Sequence, residues 1–409
     1  MLALWRVTAL LLVALVGTAR GEPRMEAVTF TQALGLVDGL PVPRAKRQAA
    51  TRERATPLPL PWQPLLLRAG PSFRLAPSAD RGLEGGVSLE QPISLGDVRA
   101  TRRALHDALA AQHEAEALAG ALEARLEIAA SWIAGWAARA RLAAATRDRE
   151  LARAFGALSE RARTAGALTA HELADAQAFL AEKELQSLDA EGEVADAAFA
   201  TARSAGRTTA IASAGELPTP DLPSEDTWDG LVGRVRTAPA ATARRIVARA
   251  ARARAAEERT VRRPQLVLGA SVDRDGPGAL VTGVTIGIAW PHDRGEREAH
   301  AAETTARLAE ADAEMLASRA AIELAAALHE VEHTGAVVDE VVARLVPATE
   351  SAAALRQRAF DAGEATIVEL LAARRAANAA HLRATDARAA HAWARVRALL
   401  LLEASGGVR

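Results

Sequence analysis

The chain has 409 residues, 50% of them hydrophobic and 25% charged, and its mean hydropathy is close to zero. Those values exclude a disordered chain and a bundle of membrane-spanning helices. The 50 Lys and Arg nearly balance 51 Asp and Glu, so nothing attracts the whole chain to nucleic acid or to an acidic surface. Aromatic side chains make up 3% of the chain and Tyr is absent, so the core expected is one of closely packed Ala-rich helices. With no Cys there is no disulfide, no Cys-ligated zinc, no thiol nucleophile and no lipid attachment to an N-terminal cysteine.

Residues 1–21 combine Arg6, an apolar run from Val7 to Val16 and the small residues Ala19 and Gly21, the pattern of a secretory signal peptide. That run is too short to cross a hydrocarbon layer, which takes about 20 helical residues. No later stretch reaches that length, so any membrane contact of the mature chain is expected from strands. Residues 22–64 contain Pro41, Pro43, Pro57, Pro59, Pro61 and Pro64 and read as a degenerate segment without a long helix.

Two copies of one plan follow, expected at 65–205 and 227–405, with a linker at 206–226 whose Pro218, Pro220 and Pro223 favour extended backbone. QPISLGDVRA around Pro92 and WPHDRGEREA around Pro291 share P-x-x-x-G-x-x-x-A, and TAGALTAHELADAQ around Gly166 answers DAGEATIVELLAAR around Gly363. In each copy two strands precede a very long helix, a Gly turn and a second helix. Strands are expected at Leu65–Leu75, Leu83–Ile93, Gln265–Arg274 and Ala279–Trp290. In the last of these Thr282, Val284, Ile286, Ile288 and Trp290 form an apolar face, and Val281, Gly283, Thr285, Gly287 and Ala289 a small one. Four strands close no barrel and lipid tolerates no open edge, so a membrane location requires several chains to pool strands. A soluble hairpin packed on the helices fits the same pattern.

A helix is expected over Trp228–Arg263 in the second copy, with no counterpart in the first. From Gly96 to Gly166 and from Gly295 to Gly363 the chain is almost free of breakers, which implies rods of roughly 100 Å. Leu122, Leu126, Ala129, Ile133, Trp136 and Ala140 in the first rod step alternately by four and three, the seam of a coiled coil. Leu324, Leu328, Val331, Gly335, Val338, Val342 and Leu345 do the same in the second. Pro347 is expected to kink that second rod.

The repeated order of hairpin, P-x-x-x-G, long helix, A-G-x-x-x-x-x-E-L and helix resembles the TolC-like outer-membrane efflux proteins. Within them, RRPQLVLGASVDRDGPGALVTGVTIGIAWPHDRG is most similar to the CzcC-type heavy-metal efflux branch. The resemblance covers Leu65 to the end. It implies a mainly α fold with a small β part: long antiparallel coiled-coil helices form an α-barrel, and four antiparallel strands per chain join a trimeric transmembrane β-barrel. It further implies a cofactor-free, passive homotrimeric duct in outer-membrane lipid that extends into the periplasm. A periplasmic adaptor (membrane fusion) protein and an inner-membrane pump of the resistance-nodulation-division type would be its partners. Val284, Ile286, Ile288 and Trp290 would then lie on a membrane strand.

In that family the periplasmic mouth lies at the Gly turns, here Gly166 and Gly363, and the helix beyond carries carboxylates facing the three-fold axis. Glu369 falls on the first such position and Ala372 on the second, while Glu172 and Asp175 occupy the matching places in the first copy. A ring of Glu369 would gate the mouth and select cations; a solvated helix-face Glu is the competing reading. Phe360 stands where relatives often carry a latching tyrosine and has no hydroxyl to donate.

His329-Glu330-Val331-Glu332-His333 spells H-E-x-x-H, two imidazoles one turn apart as in zinc peptidases. Ala336 and Asp339 stand where the extended version needs Gly and His, and Glu350 lies further along the same rod, so the pair reads as surface histidines and only a weak metal candidate. No phosphate-binding G-x-x-x-x-G-K-[ST] and no G-x-S-x-G occur, so an enzyme is not expected and energy for transport must come from a partner. Arg244, Arg245, Arg249, Arg252 and Arg254 precede Glu257 and Glu258, a solvated helix face rather than a nucleic-acid site. Two function classes follow: an outer-membrane conduit, and a secreted periplasmic helical scaffold descended from one and no longer inserted.

Overall fold

The computed structural model describes residues 25–58, 65–73, 83–166, 168–275, 279–290 and 295–405. The signal peptide at 1–21, the first hairpin turn at 76–82, the second at 276–278 and Pro291 lie outside the described residues. In chain order the elements are β1 (Glu26–Thr29), α1 (Phe30–Gly35), α2 (Pro41–Ala55), β2 (Leu66–Phe73), β3 (Leu83–Ser94), α3 (Val98–Thr164), α4 (Ala170–Ser204), β4 (Ile211–Ala214), α5 (Trp228–Arg234), α6 (Pro239–Val261), β5 (Gln265–Asp275), β6 (Ala279–Ala289), α7 (Glu296–Glu340), α8 (Val346–Asp361) and α9 (Ile367–Ala404). The four expected strands form within two residues of their expected ends. Among the described residues no helix is long and apolar enough to cross a membrane.

One compact unit comprises Pro41–Gly120 and Arg236–Ala320. Its sheet has the order β2-β3-β5-β6, every neighbour antiparallel, so the hairpins of the two copies join through β3 and β5. The glycines that begin the two rods both pack on the end of α6. A Cβ on Gly96 would lie 3.0 Å from Thr260 Cγ2, and one on Gly295 2.9 Å from Arg262 Cδ and 3.0 Å from the Glu258 carbonyl oxygen. Gly295 also has φ +67°, which favours glycine.

Two expectations fail. The proline-rich segment contains α2, a 15-residue helix, because Pro41 and Pro43 fall in its first turn, where a backbone N–H has no helical partner to lose. Arg54 donates to both oxygens of Glu114 at 2.6 and 2.7 Å, and Lys46 pairs with Glu116, which fastens α2 to α3. The first copy therefore does have a helix before its hairpin, as α6 precedes β5. The single helix expected at Trp228–Arg263 is divided into α5 and α6, with Pro239 starting the second.

The other unit comprises the chain up to Leu40, Ala121–Val235 and Ala321 onward. Trp132, Ile128, Ala129 and Ile133 of α3 form its core with Ala389, Val396 and Leu400 of α9 and Ile211 of β4. Alanine dominates the buried positions, as the composition implies, and this lets helices approach closely. The N-terminal strand closes the core: β1 pairs in parallel with β4, the Trp132 indole N–H donates to the Val28 carbonyl at 2.8 Å, and Ser213 Oγ donates to the Trp132 carbonyl at 2.6 Å. Leu324 and Leu328 of the second seam are buried and its later members half-buried.

Pro347 is accommodated by a π-helical turn, Val341–Leu345, in which the Val346 N–H donates five residues back to Val341. The extra residue restarts the helix as α8, so that proline falls in a first turn that needs no donor there.

Candidate functional site: the four-stranded sheet and the two helix turns

The register places each strand residue on one of two faces. Leu67 lies beside Leu89, Ala270 and Val284, and Ala69 beside Val87, Val272 and Thr282; further along, Leu268 pairs with Ile286, and Ile93 with Leu266 and Ile288. This face is almost wholly apolar and exposed: Val284 83%, Ile286 74%, Trp290 70%, Leu67 69% and Ile288 56%. The expected apolar set Val284, Ile286, Ile288 and Trp290 is thus one edge of an apolar surface spanning four strands.

The opposite face carries Arg68, Ser88, Ser271 and Gly283 in one row, and Glu90, Gly269 and Thr285 in the next. Arg68 and Glu90 form an ion pair at 3.5 Å. Glycines here make room for polar neighbours. A Cβ on Gly86 would lie 1.8 Å from Asp273 Oδ1, one on Gly283 3.0 Å from Ser271 Oγ, and one on Gly269 3.3 Å from Glu90 Cγ. Leu66, Pro92, Val267 and Val281 are the larger apolar residues on this side. Among the described residues both outer strands, β2 and β6, pair on one side only.

The two Gly turns share one construction. Gly166 and Gly363 have φ +76° and +75°, the left-handed value expected of a helix-ending glycine. After Phe360 and Asp361, the Gly363 N–H donates to the Phe360 carbonyl at 2.9 Å and the Glu364 N–H to the Ala359 carbonyl at 2.8 Å, a Schellman closure of α8. The next helix opens with a capping box in each copy: Thr169 with Glu172 on α4, and Thr366 with Glu369 on α9. The Glu172 carboxylate accepts from the Thr169 N–H at 2.8 Å, and the Glu369 carboxylate from the Thr366 N–H at 2.9 Å. Those bonds, then Arg356 at 3.7 Å, hold Glu369 below the usual carboxylate range; the Thr169 backbone bond does the same for Glu172. In the single chain Glu369 is exposed and caps its own helix. The T-x-x-E spacing before each apolar run signals this box in the sequence. Asp175 lies 3.8 Å from His171 one turn away, Ala372 is exposed and Phe360 half-buried.

A polar crossing higher in the same unit has no sequence signature. Asp148 on α3 and Lys183 on α4 are nearly buried at 3.9 Å, and Asn378 on α9 hydrogen-bonds the carboxylate. Burial pushes the Asp148 carboxyl up despite Lys183. Asp148 and Asn378 border a cavity of about 430 Å³ with Arg141, Asp189 and His381. His329 and His333 are exposed, His329 facing Glu332 at 3.9 Å, and Glu350 pairs with His381 at 2.9 Å. Among the described residues no group of three or more His, Asp or Glu is placed to hold a metal ion.

No family model matches the sequence, and no curated protein is similar to it. The fold does match solved structures. The outer membrane channel CmeC of Campylobacter jejuni is 15% identical with a TM-score of 0.71, over 92% of this chain and 85% of that one. The open-state outer membrane channel MtrE of Neisseria gonorrhoeae is 17% identical at 0.68, over 93% and 89%. The outer membrane protein VceC of Vibrio cholerae is 18% identical at 0.64, over 92% of each chain. The mainly α architecture with a four-stranded antiparallel sheet is therefore the fold of these outer-membrane proteins.

Proposed function

We propose that the chain is one protomer of a trimeric outer-membrane conduit, a passive exit duct for cargo delivered by an inner-membrane pump through a periplasmic adaptor. The observation that carries this reading is the sheet itself. It has one exposed apolar face, one thin polar face and two open edges, and strands of 8 to 12 residues. A tilted membrane strand needs about 9–11 residues, and an open edge in lipid leaves backbone groups unpaired, so neighbouring copies must close it edge to edge. The apolar face then meets lipid and the polar face lines the bore. The fold shared with outer-membrane channels supports the same assignment.

In this reading the two Gly turns form the periplasmic mouth. Three copies of Glu369 narrow it while each also caps its own helix, and Glu172, Asp175 and Phe360 flank it. The sequence resemblance to CzcC-type exporters makes metal ions the proposed cargo, and a resistance-nodulation-division pump the proposed partner. Residues 1–21 direct export.

The test is expression with residues 1–21 intact, membrane fractionation, detergent extraction and light scattering. An outer-membrane particle with the mass of three chains is expected. A water-soluble periplasmic monomer or dimer would overturn the conduit and leave the helical scaffold.

A further inference from the structure

We infer that Asp273 sets the charge preference of the bore near its hairpin end; the inference rests on the conduit proposed above. Among the described charged side chains on the polar face, Arg68 and Glu90 neutralise each other at 3.5 Å. Asp273 has no ion-pair partner among the described residues, and the adjacent Arg274 falls on the apolar face by register. Asp273 is paired with Gly86 and Val281 in the row next to that of Arg68 and Ser271 on this face, close to the end of β5 at Asp275 and far from its helical end at Gln265.

Its orientation is a property of the backbone beside it. The carboxylate lies where a side chain on Gly86 would begin, 1.8 Å from that Cβ position, so glycine lets the acid lie flat along β3 rather than stand across the bore. Closing the sheet from three copies makes the charge a ring of three. Uncompensated carboxylates in a pore concentrate cations and repel anions. The reach of such a ring depends on salt: the Debye length is about 30 Å at 0.01 M and about 3 Å at 1 M. A preference that is clear in dilute salt and vanishes in concentrated salt is the signature of such a ring. This ring and any charge at the mouth are separable by substitution, because Asp273 belongs to β5 and Glu369 to α9.

The experiment is reversal-potential measurement on the full-length, detergent-extracted particle in planar bilayers under a KCl gradient, at 10 mM and at 1 M. The wild type is expected to prefer K+ over Cl− in dilute salt. Asp273→Asn should lower that permeability ratio about twofold, Asp273→Lys should carry it toward anions, and Asp273→Glu should keep it. Gly86→Ala, which displaces the carboxylate without changing charge, should alter conductance more than selectivity. Particle mass is checked for each variant, and the Glu and Lys variants carry the comparison where the Asn variant is not recovered. Conducting channels whose ratio ignores residue 273 would overturn the inference and leave the conduit standing. A wild-type particle with no conductance at either salt concentration would overturn the conduit reading, and the inference with it.

Discussion

Replacing Trp132 by Phe tests whether the N-terminal strand is fastened by a single buried side chain. Trp132 is 0% exposed, its indole N–H reaches the Val28 carbonyl at 2.8 Å, and Phe30 meets its ring edge-on with centroids 5.3 Å apart. Phe keeps a ring beside Phe30 but removes the donor, a net loss of about 1 kcal/mol, and leaves a partly filled cavity costing about 1 kcal/mol more. The total of about 2 kcal/mol corresponds to a roughly 30-fold larger opening equilibrium for the segment it holds. Hydrogen–deuterium exchange on the detergent-solubilised full chain is the assay. Amides of β1, α1 and β4 should exchange about 30-fold faster where local opening controls them, while β3 and β5, in the other compact unit, keep their rates. Unchanged exchange over 26–37, or equal acceleration everywhere, would refute the idea that Trp132 fastens this segment locally.

Thr366→Ala should destabilise the start of α9 by about 1 kcal/mol and speed proteolysis at the 362–366 turn, whereas Glu369→Gln keeps an acceptor for the cap but loses the charge that the Thr366 N–H and Arg356 favour, and should cleave faster than the wild type and more slowly than Thr366→Ala. Because Glu369 is held below its ordinary value, its contribution is present above the unfolded carboxylate pKa and is lost as pH falls through the lower folded one; turn proteolysis should stay flat down to mildly acidic pH and rise only below it. Lys183→Met should show the opposite pH response. The Asp148 carboxyl is raised by burial, so its ionised form costs stability above the folded pKa and that cost disappears as the group protonates. The variant should be destabilised by about 3 kcal/mol at neutral pH and regain part of it on acidification, followed by thermal unfolding; a pH-independent loss would remove Asp148 from the account. Gly295→Ala must place a Cβ 2.9 Å from Arg262 Cδ at φ +67°, so it should cost about 1–3 kcal/mol, and an unchanged melting temperature would contradict the tight junction at the end of α6.

Much of this architecture is local and was legible from residue order. Helices of the length of α3 follow from an absence of breakers, strands from alternation with period two, and the helix ends at Gly166 and Gly363 from glycine flanked by helix-forming residues, since each depends on neighbours within a few positions. The capping boxes were equally local: T-x-x-E is present at Thr169 and Thr366, and it changes the meaning of Glu172 and Glu369 from free charges to helix caps. Proline content misled at α2, because whether proline breaks a helix depends on its place in the first turn rather than on its number. Only the tertiary structure could decide that β3 pairs with β5, that Gly96 and Gly295 converge on α6, that Asp148 meets Lys183, and that Asp273 lies over Gly86. These contacts join residues tens to hundreds of positions apart. Periodicity assigns a face to each residue but names no partner across a sheet or between helices; register and packing do that.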